Sequence, residues 1–311
     1  MRLAFQKIPP TLLRFLRHSY APEYCREKLL GDVDLVHSTN LSVPRFRSAK
    51  KRLVVTIHDL SFVVCPEFHL AGNIVHCLQG VQDAIPHADV IITISQHTRN
   101  DLIERMGAAA DRVVVTPLAA PPGRRRIEDA DILSRMQHTY QLPPAFMLFV
   151  GALEPCKNIS RLVQAYARLP SALRREVHFV IAGGSGWLNE EVRTLVTALG
   201  LNDCVHFIGY VSEQDLPALY SMATIFAYPS LYEGFGLPML EAMQCGAPVL
   251  TANVSALPEV AGDVAVCVSP TNTEEIAAGL RSLLEDSALR TALRARGYQR
   301  ADSFSWERCA Q

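Results

Sequence analysis

Two carboxylates bracket a glycine turn in "YPSLYEGFGLPMLEAMQCGAPVL", residues 228–250: Glu233 and Glu241 stand on either side of Gly234, Phe235, Gly236 and Leu237. The glycines let the backbone turn sharply and bring amide N–H groups close to a ligand. Pro238 suits the first position of a helix, because its φ is fixed and its missing N–H is not needed there. Gly246 suits the end of that helix. A helix N-terminus with exposed amides holds an anion such as phosphate or diphosphate. Acids aimed at that anion would repel it, so both are expected to read hydroxyl groups beside it. A nucleotide-sugar offers such groups, ribose at one end and a sugar at the other. The plainer alternative is a helix-capping turn with two dipole-stabilising acids. That suits Glu241, expected in the first helical turn, better than Glu233, which precedes the helix.

A second candidate lies in "FVGALEPCKNISRLVQAYARL", where an apolar run ends at Gly151 and a loop carries Lys157 and Asn158 into a helical pattern. A lysine at such a junction can hold a diphosphate as a point charge. "VIAGGSGWL" has neither GxGxxG nor GxSxG spacing, so it reads as a tight turn at a strand end. His58, at the end of "RLVVTIH", can face a reacting group or simply hydrogen-bond within its loop. The acid pairs Asp32/Asp34 and Asp129/Asp131 sit at the wrong places for a divalent ion on a diphosphate, and no catalytic metal is expected.

These residues need a scaffold that lines up strand ends. Apolar β-branched runs at 33–37, 52–58, 89–95 and 112–116 alternate with helical patterns near 72–86 and 96–106. The alternation restarts with runs at 146–151, 177–183, 205–209, 224–229, 248–251 and 264–268. Helical patterns fall between several of these and continue from 273 to about 302. Such alternation means parallel sheets with covered faces. The expectation is an α/β chain of two Rossmann-like domains facing a cleft. Their predicted extents are 1–122 and 144–299, with a Pro/Gly/charge-rich linker over 123–143 and a closing helix starting at 300–311. Ligands in such folds sit at the carboxyl ends of the strands.

Composition bounds the rest. The 311 residues are 49% hydrophobic and 20% charged, with a net charge of −1. That excludes a disordered chain and gives no reason to expect a nucleic-acid partner. The eight cysteines show no CxxC pairing and read as reduced core thiols of a cytoplasmic protein. The start "MRLAFQKIPP" lacks the apolar core of a signal peptide. "TLLRFLRHSY" is amphipathic; it packs on the body or touches the inner face of the cell membrane peripherally.

With "EGFGLPMLEAM", "VGALEPCKN", "ISQHTRNDLIERM", "HFIGYVSEQDLPALYSMATIFAYPS" and "SALPEVAGDVAVCVSP" in view, the sequence resembles the family-four retaining glycosyltransferases of the GT-B fold. The resemblance runs from about Asp34 to the end. It looks most like bacterial mannosyltransferase-type members that build O-antigen or capsular chains. It implies transfer of a hexose, mannose first among the candidates, from a GDP- or UDP-linked donor to a saccharide or lipid-linked acceptor, with no cofactor. It further implies Glu241 on the ribose, Glu233 and His58 at the donor sugar, Lys157 and the Gly234–Leu237 amides on the diphosphate, and backbone near Tyr210 and Val211 around the base. Ala152 and Cys156 stand where family members commonly carry an arginine. The usual first strand with its glycine-rich loop and the continuing closing helix are not recognised, so the first domain is expected to be incomplete. A non-catalytic nucleotide-sugar-binding protein and an epimerase or hydrolase on the same fold are the alternatives.

Overall fold

The computed structural model describes residues 33–41, 43, 51–184 and 189–311. The chain divides into two compact units, Met1–Thr116 and Pro117–Gln311. In the first, β1 (Leu35–Ser38), β2 (Arg52–Ile57), β3 (Val90–Thr93) and β4 (Val113–Val115) form a four-stranded sheet in chain order. Every pairing is parallel. The helices α1 (Ser61–Val64), α2 (Ala71–His87) and α3 (Gln96–Met106) accompany it. Leu53, Val55 and Ile57 alternate inward along β2 onto Leu60, Val81, Ala84, Ile91 and Leu102. The Ser95 hydroxyl accepts the Thr98 amide to cap α3, and Gly107 closes it in the left-handed region at φ 71°.

The second unit contains α4 (Ala130–Thr139), β5 (Phe146–Val150), α5 (Ile159–Ala167), α6 (Ser171–Glu176), β6 (His178–Ala182), α7 (Asn189–Ala198) and β7 (Val205–Gly209). It continues with α8 (Leu216–Met222), β8 (Ile225–Tyr228), α9 (Leu237–Gln244), β9 (Val249–Ala252), α10 (Leu257–Ala261), β10 (Val266–Val268), α11 (Thr273–Glu285), α12 (Ser287–Asp302) and α13 (Trp306–Ala310). The sheet runs β10-β9-β8-β5-β6-β7, all parallel. That is a doubly wound Rossmann order with its reversal between β5 and β8. β8 and β9 are buried at every position and β5 at all but its last, as expected for strands covered on both faces. Phe149, Tyr228 and Phe226 stack across the reversal.

The expected strands are all present within a residue or two. The expected linker is not one throughout: the division falls after Thr116, and residues 130–139 form α4 of the second unit. Pro, Gly and charge concealed it, but Ile132, Leu133 and Met136 turn inward from the helix. Asp129, one of the acid pairs, caps it by accepting the amides of Asp131 and Ile132. Cysteine burial also differs from expectation. All seven cysteines among the described residues are free, but only Cys245 is buried and Cys267 on β10 is half-buried. The amphipathic stretch at 11–20, Asp32 and the rest of residues 1–32 lie outside the described residues. Among those described, no helix is long and apolar enough to cross a membrane.

Candidate functional site

Both loops that leave the sheet at its reversal carry chemistry. After β5, a short 3-10 turn, Pro155–Lys157, leads to Asn158, which adopts the left-handed conformation at φ 61°. Asn tolerates that region better than most residues. Asn158 is 5% exposed, and its amide donates to the carbonyls of Pro229, 2.9 Å, and Pro270, 2.7 Å. One side chain thereby ties the loop after β5 to the loops after β8 and β10. The Leu231 amide adds a bond to the Cys156 carbonyl at 2.7 Å.

The tie brings Lys157 to Glu233. Lys157 Nζ donates to Glu233 Oε1 at 2.8 Å and to the Tyr228 hydroxyl at 3.1 Å. Burial alone would lower the Lys157 pKa. The Tyr228 oxygen and the Glu233 carboxylate outweigh it, and the ammonium is held above its ordinary range. The Glu233 backbone is fixed as well: its amide donates to Ser255 Oγ at 3.0 Å and its carbonyl accepts from Ala256.

Beyond Glu233, Gly234 and Phe235 are buried, and Gly236 caps α9 at φ 97°, a conformation suited to glycine. Phe235 packs edge-on against Phe304. Among the described residues, the amides of Gly234, Phe235, Gly236 and Leu237 donate to no protein acceptor. With Pro238 at the second helical position, they form the exposed donor set of the helix N-terminus. At the far end Gly246, φ 78°, closes α9. The Ala247 amide reaches the Ala242 carbonyl and that of Gly246 reaches Met243, a Schellman arrangement.

Glu241 departs from expectation. It is the fifth residue of α9, past the first turn, and is 8% exposed. Its Oε2 accepts from Arg124 Nε at 2.9 Å. Burial raises its pKa and Arg124 pulls it back. Arg124 belongs to the stretch read as linker and was not expected at the site. The signal available was an arginine directly after Gly123, but in "GRRRIED" it reads as a solvated charge run.

The remaining expected residues are on other loops. Tyr210 follows β7 and is 73% exposed, while Val211 beside it is buried. Gly183, Gly184, Leu153, Arg193 and Tyr210 line a cavity of about 370 Å³ at the ends of β5, β6 and β7. The turn in "VIAGG" has a steric cause: a Cβ at Gly183 would stand 1.9 Å from the Gly151 carbonyl oxygen. Ala152 and Cys156 bring no cation to the loop. In the first unit His58 is exposed, and its Nε2 bonds the Thr39 carbonyl at 3.1 Å, in the neighbouring loop after β1 rather than within its own loop.

The family described as "Glycosyl transferases group 1" matches residues 133–300, and "Glycosyltransferase Family 4" matches residues 2–124. The chain belongs to the group 1, family 4 glycosyltransferases. It is 36% identical over 278 residues to an Escherichia coli protein named O-antigen chain mannosyltransferase B, covering 88% of this chain and 71% of that one. It is 30% identical to the E. coli serotype-specific mannosyltransferase WbdA, over 98% of this chain but only 40% of the relative. Among solved structures it is similar to Anabaena Alr3699/HepE in complex with UDP and glucose, with a TM-score of 0.76 and 21% identity over 90% and 76% of the two chains. WaaG, a glycosyltransferase involved in lipopolysaccharide biosynthesis, gives 0.75 and 20% over 91% and 77%. At those identities the structural likeness speaks for the fold, two Rossmann-like units of the GT-B kind.

Proposed function

We propose that this glycosyltransferase moves a hexose, mannose first among the candidates, from a nucleotide-diphosphate-sugar to a saccharide or lipid-linked acceptor, with retention at the anomeric carbon. The observation that carries the reading is the Lys157–Glu233 pair, 2.8 Å apart at the strand reversal and next to the unpaired amides of the α9 N-terminus. The diphosphate of the donor would dock on those amides and draw Lys157 onto its oxygens. Glu233, released from the lysine, would then take hydroxyls of the donor sugar. As the glycosidic bond to the diphosphate breaks, charge grows on the leaving oxygen, where the ammonium and amides stabilise it. That donor set supplies the positive charge without a divalent ion. Glu241 would hold the ribose and the backbone at Tyr210 and Val211 would border the base. The names of the O-antigen mannosyltransferase relatives support mannose and a polysaccharide or lipid-linked acceptor.

The test is a panel of GDP-, UDP- and ADP-sugars with membrane extract, reading nucleoside diphosphate release for the wild type and Glu233→Ala. Acceptor-dependent release from one donor, abolished by the substitution, is expected. Release independent of acceptor would mark a hydrolase, and binding without turnover a non-catalytic protein. The anomeric coupling of the product by NMR reports retention or inversion.

A further inference from the structure

Arg124 is the most deeply buried cation near the site, and the proposed chemistry gives it no part. Its side chain is 4% exposed. The guanidinium divides between two elements: Nε donates to Glu241 Oε2 at 2.9 Å, Nη1 donates to the Glu213 carbonyl at 2.8 Å, and Nη2 meets the Glu213 carboxylate. Glu213 stands in the turn after β7, two residues beyond Val211. The Ile127 amide, which donates to Ser221 Oγ on α8 at 2.9 Å, anchors the same segment. One guanidinium therefore fastens the turn after β7 to the middle of α9.

We propose that Arg124 is a positioning residue for nucleotide binding, fixing Glu241 through Oε2 so that Oε1 is presented to the vicinal hydroxyls of a ribose. The inference rests on the reading of Glu241 in the preceding subsection. Two physical features support it. A glutamate on a helix has several rotamers, and a guanidinium held at both ends selects one of them. Burial first, and Glu213 from the turn after β7, disfavour the Glu241 charge, whereas Arg124 and, less strongly, the Tyr220 hydroxyl from α8 favour it; Cys245, which caps the helix, also faces it. Arg124 alone among these facing groups is cationic. From α12, Arg294 bonds the Gly246 carbonyl at the end of α9 rather than this carboxylate. Without Arg124, burial and Glu213 are opposed only by the weaker Tyr220 hydroxyl, and the Glu241 pKa rises further. A diol needs the ionised form as acceptor, so the acid side of nucleotide affinity should then move to higher pH.

The experiment is calorimetric titration of the full chain with GDP and with UDP across pH, for wild type, Arg124→Gln, Arg124→Lys and Glu241→Gln. Arg124→Gln should bind about tenfold more weakly near neutrality, the equivalent of one charge-assisted hydrogen bond, with its acid limb displaced upward. Arg124→Lys should restore most of the limb, because the charge is kept. Glu241→Gln should show no such limb, and adding Arg124→Gln to it should cost little more. A uniform loss of affinity and melting temperature with an unmoved limb would mean that Arg124 only holds the fold, and would overturn the inference. Should Arg124→Gln not fold, the affinity of Arg124→Lys decides: weaker binding non-additive with Glu241→Gln supports the inference, while wild-type affinity, or a loss additive with Glu241→Gln, overturns it. Wild type that binds neither nucleotide overturns the functional reading and this inference together. Wild type that binds while Arg124→Gln keeps its pH profile overturns this inference alone.

Discussion

Lys157 and Glu233 meet at 2.8 Å although they leave different strands, β5 and β8, which are neighbours because the winding of the sheet reverses between them. The lysine thus reaches the N-terminal side of α9 already charged and already partnered. On the proposed mechanism, donor binding would exchange one anion for another rather than charge a neutral amine.

Replacing Lys157 by Ala should reduce transfer on the order of 100-fold or more, the usual loss when one preorganised donor to a developing oxyanion is removed. It should also destabilise the apo protein, because Glu233 is left largely buried without its cation. The pair retains 18% and 12% exposure, so the cost should be at or below ~3 kcal/mol. Denaturant unfolding of Lys157→Ala against Lys157→Ala/Glu233→Gln checks this. The double variant should be the more stable, since it carries no unpaired carboxylate.

The sequence made the sheet and the glycine turn before α9 legible for one reason each. β5, β8 and β9 are covered on both faces and therefore read as continuous apolar runs. The turn carries Gly236 at φ 97° and Pro238 beside it, residues chosen by backbone geometry that a sequence displays directly. Arg124 was illegible because its role depends on partners 89 and 117 residues away. Its local setting of Pro, Gly and neighbouring arginines matches that of an ordinary solvated loop. Helix α4 was hidden by the same composition. For Glu241, helical periodicity placed the residue on α9 but not its depth in the protein, which α8 and the segment before α4 determine.

Asn158 should prove as sensitive as the site it supports. Asn158→Gly keeps the left-handed backbone but removes both bonds, leaving the Pro229 and Pro270 carbonyls without that donor. The expected loss is on the order of 2–4 kcal/mol, from two lost buried bonds. Asn158→Leu adds backbone strain to the same loss, so it should unfold at lower denaturant than Asn158→Gly. Equal stability of the two would mean that the conformation at φ 61° costs leucine nothing.

Gly246→Ala tests the closure of α9. The position has φ 78°, and an added Cβ would lie 2.1 Å from the Tyr298 hydroxyl. Left-handed backbone costs a non-glycine residue about 1 kcal/mol, and displacing Tyr298 adds to it. Pairing the change with Tyr298→Phe removes the hydroxyl, so the double variant should recover part of the loss in a thermal melt. No recovery would show that backbone strain and the ring carbon Cζ, 2.8 Å from the added Cβ, set the cost rather than the hydroxyl.

Asp89 gives the first unit a predictable dependence on pH. Its carboxylate accepts the Leu53 amide at 2.8 Å, and the Arg52 guanidinium donates to it at 2.6 Å, joining the residue before β3 to the start of β2. The backbone bond from Leu53, followed by that from Arg52, holds its pKa below the ordinary aspartate value, against a small opposing effect of burial. For a carboxylate depressed on folding, the unfolded chain takes up its proton first as pH falls. The stabilisation is therefore complete above the ordinary aspartate pKa, and is lost as pH drops from there through the folded value. Asp89→Asn has no such proton to bind. Urea unfolding followed from neutrality into the acid range should show the wild type losing stability more steeply than Asp89→Asn over that window. The two stabilities should converge at its lower end. Parallel curves would mean that the Leu53 and Arg52 bonds do not distinguish the charged from the neutral carboxyl.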